Sequence, residues 1–63
     1  MSKFIVLTAT NNNEILIDKS RILKCVGRDA DTEISYKLHN QVSKIYCKET
    51  PSEILTIIKW NEN

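Results

Sequence analysis

The sequence predicts a mainly β member of the α+β class: a five-stranded antiparallel meander, forming a curled sheet or a small barrel, with one C-terminal helix. Three observations carry that expectation. The only strong helix signal, Glu49 to Trp60, comes last. Before it lie short apolar stretches rich in β-branched and aromatic residues, which suit strands. Between them stand the polar breaks Asn11-Asn12-Asn13, Asp18-Lys19-Ser20, Gly27 to Asp31 and His39-Asn40-Gln41. Strands joined by such short connections are normally antiparallel neighbours.

Lys3 to Thr8 forms the first strand. Ala9 to Asn13 turns it back, because asparagine tolerates the left-handed backbone of a tight hairpin. Glu14 to Asp18 is the second strand. Arg21 to Val26 carries Ile22, Leu23, Cys25 and Val26, offsets that fit a short helix almost as well as a strand; a strand is favoured, with a helical turn over Asp18 to Arg21. Gly27, the only glycine, opens the next turn with Arg28-Asp29-Ala30-Asp31.

Thr32 to Leu38 alternates cleanly, with Ile34, Tyr36 and Leu38 on the inward face and Glu33, Ser35 and Lys37 outward. After His39-Asn40-Gln41, Val42 to Glu49 is the fifth strand, with Ile45 and Cys47 inward and Lys44, Tyr46 and Lys48 outward. Thr50 and Glu53 have the spacing of a capping box, and Pro51 falls at the first helical position, where its missing N–H costs nothing. Ile54, Leu55, Ile57 and Ile58 make one apolar stripe, closed by Trp60 before the polar end Asn61-Glu62-Asn63. A helix of this length is marginal alone, so the strands must give it a surface.

A chain of 63 residues makes one domain, residues 1–63, with a small core. At that size only about 60% of the unfolded surface is buried, and roughly 3–5 kcal/mol is the usual ceiling for a single core. Nine Lys and Arg against eight Asp and Glu leave a net charge of +1. That balance gives no electrostatic footprint for duplex nucleic acid or an anionic membrane. The longest apolar run is Phe4-Ile5-Val6-Leu7, so neither a signal peptide nor a membrane span is expected. The expected location is the cytoplasm of a bacterium or of an infected host cell.

One pattern does not suit a lone monomer. The first two strands, with FIVL and ILI, are apolar on both faces, while a ten-residue helix covers only part of one face. Either the sheet curls onto itself or the second apolar face meets another subunit, and a homo-oligomer is the expectation.

Catalytic chemistry finds no purchase. His39, the only histidine, sits in a turn with no nucleophile placed beside it. Asp29 and Asp31 are turn residues without the further oxygen ligands a calcium loop needs, and Glu49 and Glu53 suit the positive end of the helix. One glycine cannot cradle a phosphate. Cys25 and Cys47 are expected as buried thiols, with a bridge open only if the third and fifth strands approach. No enzyme activity, metal or cofactor is expected.

The one cluster with binding chemistry is Lys44, Tyr46 and Lys48 on the fifth strand, with Arg28 joining from the turn. A ring between ammonium groups can stack a base and hold phosphates; lysines there equally guard an edge strand against aggregation.

The "I-x-I-D" strand, the "x-R-I" entry to the third strand and Lys48-Glu49-Thr50-x-x-Glu53-Ile54 resemble the FlbD/SwrD family of small flagellar and swarming-motility proteins, and similar short bacterial and phage proteins, over about residues 3 to 58. The family usually has Asn-Gly in its hairpin turns, where this chain has Asn11-Asn12-Asn13 and His39-Asn40-Gln41. The resemblance implies a small β-rich fold and a role in motility. The function expected is a non-enzymatic binding or assembly module, self-associating and acting on an unidentified protein partner. The alternative is a phage-type sequestering protein that holds a small anionic ligand, such as a cyclic nucleotide, at a subunit interface. Nucleic acid is not an expected partner, because the net charge is too near zero for strong counterion release.

Overall fold

The computed structural model describes residues 3–60; the polar end at 61–63 lies outside them. Five strands and one helix follow the predicted order: β1 (Phe4–Thr8), β2 (Glu14–Asp18), β3 (Ile22–Gly27), β4 (Thr32–Leu38), β5 (Gln41–Cys47) and α1 (Pro51–Trp60). The fold is mainly β, as expected, but the strands form two antiparallel sheets. β1 and β2 make a hairpin, and β3, β4 and β5 make a three-stranded sheet with β4 central.

The continuous meander breaks between β2 and β3. Asp18 Oδ1 accepts the Ser20 N–H at 2.9 Å and its hydroxyl at 2.7 Å, which tightens Lys19–Arg21 into a 3-10 turn. This is the helical turn expected at the start of the third strand. It takes the chain from one sheet into the other, so β2 and β3 do not pair.

The two sheets are stitched at the far end of β1. Ala9 bridges Cys47, the Lys48 N–H donates to the Thr8 carbonyl at 2.8 Å, and the Thr8 N–H donates to Glu49 Oε1 at 2.8 Å. Glu49 therefore satisfies a strand rather than the helix start. β5 ends at Cys47, two residues earlier than predicted.

Both sheets give their inner faces to one core of Ile5, Leu7, Ile17, Ile34, Cys47 and Ile54. Half-buried Ile15, Ile22, Cys25, Tyr36, Ile45, Ile57 and Ile58 surround it. The helix contacts β1 and β3. Its cap is the reciprocal one predicted: the Thr50 N–H donates to Glu53 Oε1 at 2.9 Å, and the Glu53 N–H donates to Thr50 Oγ1 at 3.2 Å.

The stripe is narrower than its sequence suggests. Ile54 is buried, Ile57 and Ile58 are half-buried and Leu55 is exposed, while Trp60 is 78% exposed and closes nothing. Leu38, predicted inward, is also exposed, because it lies at the strand end where β4 turns into β5. Ser35 departs the other way: predicted outward, it is buried between its cross-strand neighbours Lys24 and Lys44, whose aliphatic stems can cover so small a side chain.

Cys25 and Cys47 are both free thiols. β4 lies between their strands. Two strand spacings amount to about 10 Å, beyond the Cα separation a disulfide can span.

Candidate functional site

The β4–β5 register sets Tyr46 opposite Glu33 and Lys44 opposite Ser35, which puts the Glu33, Lys44 and Tyr46 side chains together on the outer face of the three-stranded sheet. Arg28 enters from the β3–β4 turn, where its own N–H is held by the Asp31 carbonyl at 2.8 Å. Its guanidinium carbon lies 5.0 Å from the centre of the Tyr46 ring, within cation–π range.

Three of the four residues singled out in the sequence therefore meet: Arg28, Lys44 and Tyr46. Lys48 does not join them. It follows the end of β5, and its ammonium donates to Asn12 Oδ1 in the β1–β2 turn.

The sequence reading missed the residue at the centre, Glu33. Its Oε2 accepts from the Tyr46 hydroxyl at 3.3 Å and lies 3.7 Å from Arg28 Nη1, and its Oε1 lies 3.6 Å from Lys44 Nζ. Asp31 Oδ1 lies 3.1 Å from Arg28 Nε. Laying the two strands in register would have found Glu33, since an outward acid opposite Tyr46 must sit among the same cations.

Two cations face two carboxylates here, and the cluster is electrically closed. It can brace the sheet's outer face and the turn through exposed ion pairs, each worth little. For an external anion, Glu33 and Asp31 are competitors already in place.

Among the described residues no group of three His, Cys, Asp or Glu could hold a metal ion. His39 stands exposed in the β4–β5 turn. Burial raises both thiols above their ordinary value of 9.0, and the Glu49 carboxylate adds to that effect at Cys47. Neither is poised as a nucleophile. The Ser20 hydroxyl, helped by the Ser20 N–H, lowers Asp18 below its ordinary value of 3.8, which fits its part in the 3-10 turn. No described helix is long and apolar enough to cross a membrane.

The second candidate surface is the outer face of the hairpin. Pairing sets Phe4 opposite Asp18, Val6 opposite Leu16 and Thr8 opposite Glu14. Ile5, Leu7 and Ile17 point into the core, so these six share the outer face. Phe4 is 48%, Val6 52% and Leu16 67% exposed. The apolar trio lies between Glu14, Thr8 and Asp18, an apolar centre with a polar margin. This is the two-faced hairpin that the FIVL and ILI strands announce.

No family model, curated protein or solved structure matches the chain.

Proposed function

We propose that this protein is a non-enzymatic binding and assembly module that works through protein contacts and associates with copies of itself in the cytoplasm. The observation that supports this reading best is the outer face of the β1–β2 hairpin, where Val6 and Leu16 stand half or more exposed directly opposite each other. An apolar centre inside a polar margin is the anatomy of a contact surface. A core of so few buried side chains also leaves stability to be gained by association. The acids at both ends of β2, Glu14 and Asp18, disfavour strand-edge pairing, so the contact runs through the face of the hairpin. The resemblance to the FlbD/SwrD family would put such a module at the flagellar or swarming machinery.

A trap for a small anion built on Arg28, Lys44, Tyr46 and Lys48 has less support, since Glu33 and Asp31 already occupy the cations and Lys48 is turned to Asn12.

Sedimentation and light scattering test the proposal. Mass should rise with concentration, and Leu16→Asp should return the protein to monomer with an unchanged circular dichroism spectrum. A strict monomer up to about 1 mM, where even about 4 kcal/mol of association would be visible, would overturn it. So would an oligomer indifferent to Leu16→Asp and Val6→Asp.

A further inference from the structure

Three backbone irregularities meet at the end of the sheet opposite Arg28. The 3-10 turn carries Ser20 and Arg21. A β-bulge interrupts the β3–β4 register between Ile22 and Lys24 and leaves Leu23 without a partner across the strand; bulges commonly re-aim a side chain beside a functional site. The β4–β5 turn holds His39 at φ 55° and Asn40 at φ 149°, backbone that favours glycine. With Lys37, these residues line a cleft of about 410 Å³, within the size range of small-ligand sites.

The lining is cationic. Arg21, Lys37 and His39 are the ionisable residues among its described members, and no carboxylate is one of them. Ser20 and Asn40 add a hydroxyl and an amide, and Leu23 supplies the apolar wall. Around Arg28 each cation already has an acid; here the Lys37 side chain makes no ion pair or hydrogen bond with the other described residues. Arg21 pairs with one acid, its Nε lying 3.7 Å from Asp18 Oδ2. Asp18 Oδ1 is committed to the Ser20 N–H and hydroxyl.

We infer that this cleft binds a small phosphate-bearing molecule, a phosphomonoester of mononucleotide size. A phosphomonoester carries close to two negative charges at neutral pH, which Arg21 and Lys37 together match. The guanidinium fork fits the phosphate oxygens and the ammonium adds a point charge. The organic part lies against Leu23, with Asn40 and His39 within reach of its polar groups. This site is independent of the hairpin face and does not rest on self-association.

The test is an amide-resolved NMR titration of the intact chain with adenosine monophosphate, inorganic phosphate and adenosine. Adenosine monophosphate should give saturable shifts at Arg21, Leu23, Lys37, His39 and Asn40, with inorganic phosphate weaker and adenosine silent. The double substitution Arg21→Ala with Lys37→Ala should weaken binding by about tenfold or more, a loss on the order of one charge-assisted contact. Lys59→Ala on the helix should leave it unchanged. All these side chains are exposed, and the unshifted remainder of the spectrum reports that each variant is folded. Shifts that fail to saturate, shifts that persist in the double variant, or shifts equally strong with adenosine would overturn the anion site. Equal affinity for inorganic phosphate would overturn the role given to Leu23.

Discussion

Both sheets give their inner faces to one core, but their outer faces are built differently. On the three-stranded sheet the outer face carries Lys24, Lys37, Lys44 and Glu33, and its exposed valines each sit across from a charge, Val42 opposite Lys37 and Val26 opposite Glu33. On the hairpin, Val6 sits opposite Leu16 with Phe4 beside it. Interspersed charge keeps a solvated face apart from its neighbours, whereas paired apolar residues favour cover. One sheet is finished as it stands, and the other, on the proposed reading, is finished by a contact. Besides the shared core, the hairpin is tied to the end of β5 by the Ala9–Cys47 bridge, the bonds around Thr8 and the Lys48–Asn12 hydrogen bond.

The largest effect expected is one that treats both regions alike from inside. Leu7 on the hairpin and Ile34 on the sheet are both fully buried. Leu7→Ala or Ile34→Ala should each cost about 2–5 kcal/mol, as much as a core of this size supplies. Urea or thermal unfolding at fixed protein concentration should show either variant largely unfolded at room temperature. Leu16→Ala, one residue away from buried Ile17 but on the other face, should stay within about 0.5 kcal/mol while weakening self-association. Equal losses at Leu7 and Leu16 would mean the two faces of the hairpin are not different after all.

Next in size is the stitch between the regions. The Glu49 carboxylate accepts the Thr8 N–H at 2.8 Å in a part-buried setting, and hydrogen bonds to charged groups contribute about 1.5–3 kcal/mol. Glu49→Ala should therefore cost roughly that much and should accelerate hydrogen exchange at the Thr8 amide before that of the β4 amides. If β4 amides accelerate equally, the hairpin and sheet open as one unit.

The elements were legible in the sequence, but their division into two sheets was not. The strand at β4, the capping box at Thr50 and Glu53, and the apolar character of both hairpin faces are local patterns of period two or 3.6, so they carry into the structure, although Ser35 is buried and Leu38 exposed against the alternation read for β4. What could not be read were the long-range consequences. That β2 and β3 part company depends on Asp18 closing a 3-10 turn, and that Arg28, Lys44 and Tyr46 surround Glu33 depends on the register of two strands. Trp60 is exposed because the helix ends beyond the small surface that β1 and β3 offer, a limit set by the area of the fold and not by the periodicity of the helix.

A smaller effect separates the two turns. In the β1–β2 turn, Asn12 at φ 71° is the kind of residue that tolerates left-handed backbone, and Asn11 Oδ1 supports it by accepting the Asn13 N–H at 3.1 Å. In the β4–β5 turn, Asn40 at φ 149° lies where only glycine is at ease. Asn40→Gly should stabilise the protein by about 1 kcal/mol, and Asn12→Gly by no more than a few tenths, both read from urea midpoints. A loss of stability in Asn40→Gly would show that the asparagine side chain, and not the backbone, holds that turn.

The two thiols give the finest discrimination, because only Cys47 lies at the seam. Cys25 is half-buried on β3, whereas Cys47 is fully buried and bridged by Ala9. Both are raised above 9.0, chiefly by burial, so the folded state holds its thiol protons where the unfolded chain begins to release them. Stability is then intact below pH 9 and declines as pH rises past it, and replacing both cysteines by alanine should flatten that decline. At pH 8 a thiol reagent should modify Cys25 faster than Cys47, since reaction needs both thiolate and access. In Glu49→Gln the Cys47 rate should rise while the Cys25 rate stays the same, because detaching the hairpin uncovers only Cys47. Parallel acceleration of both would mean that the sheet itself opens, and that the hairpin is no more loosely held than the strands it covers.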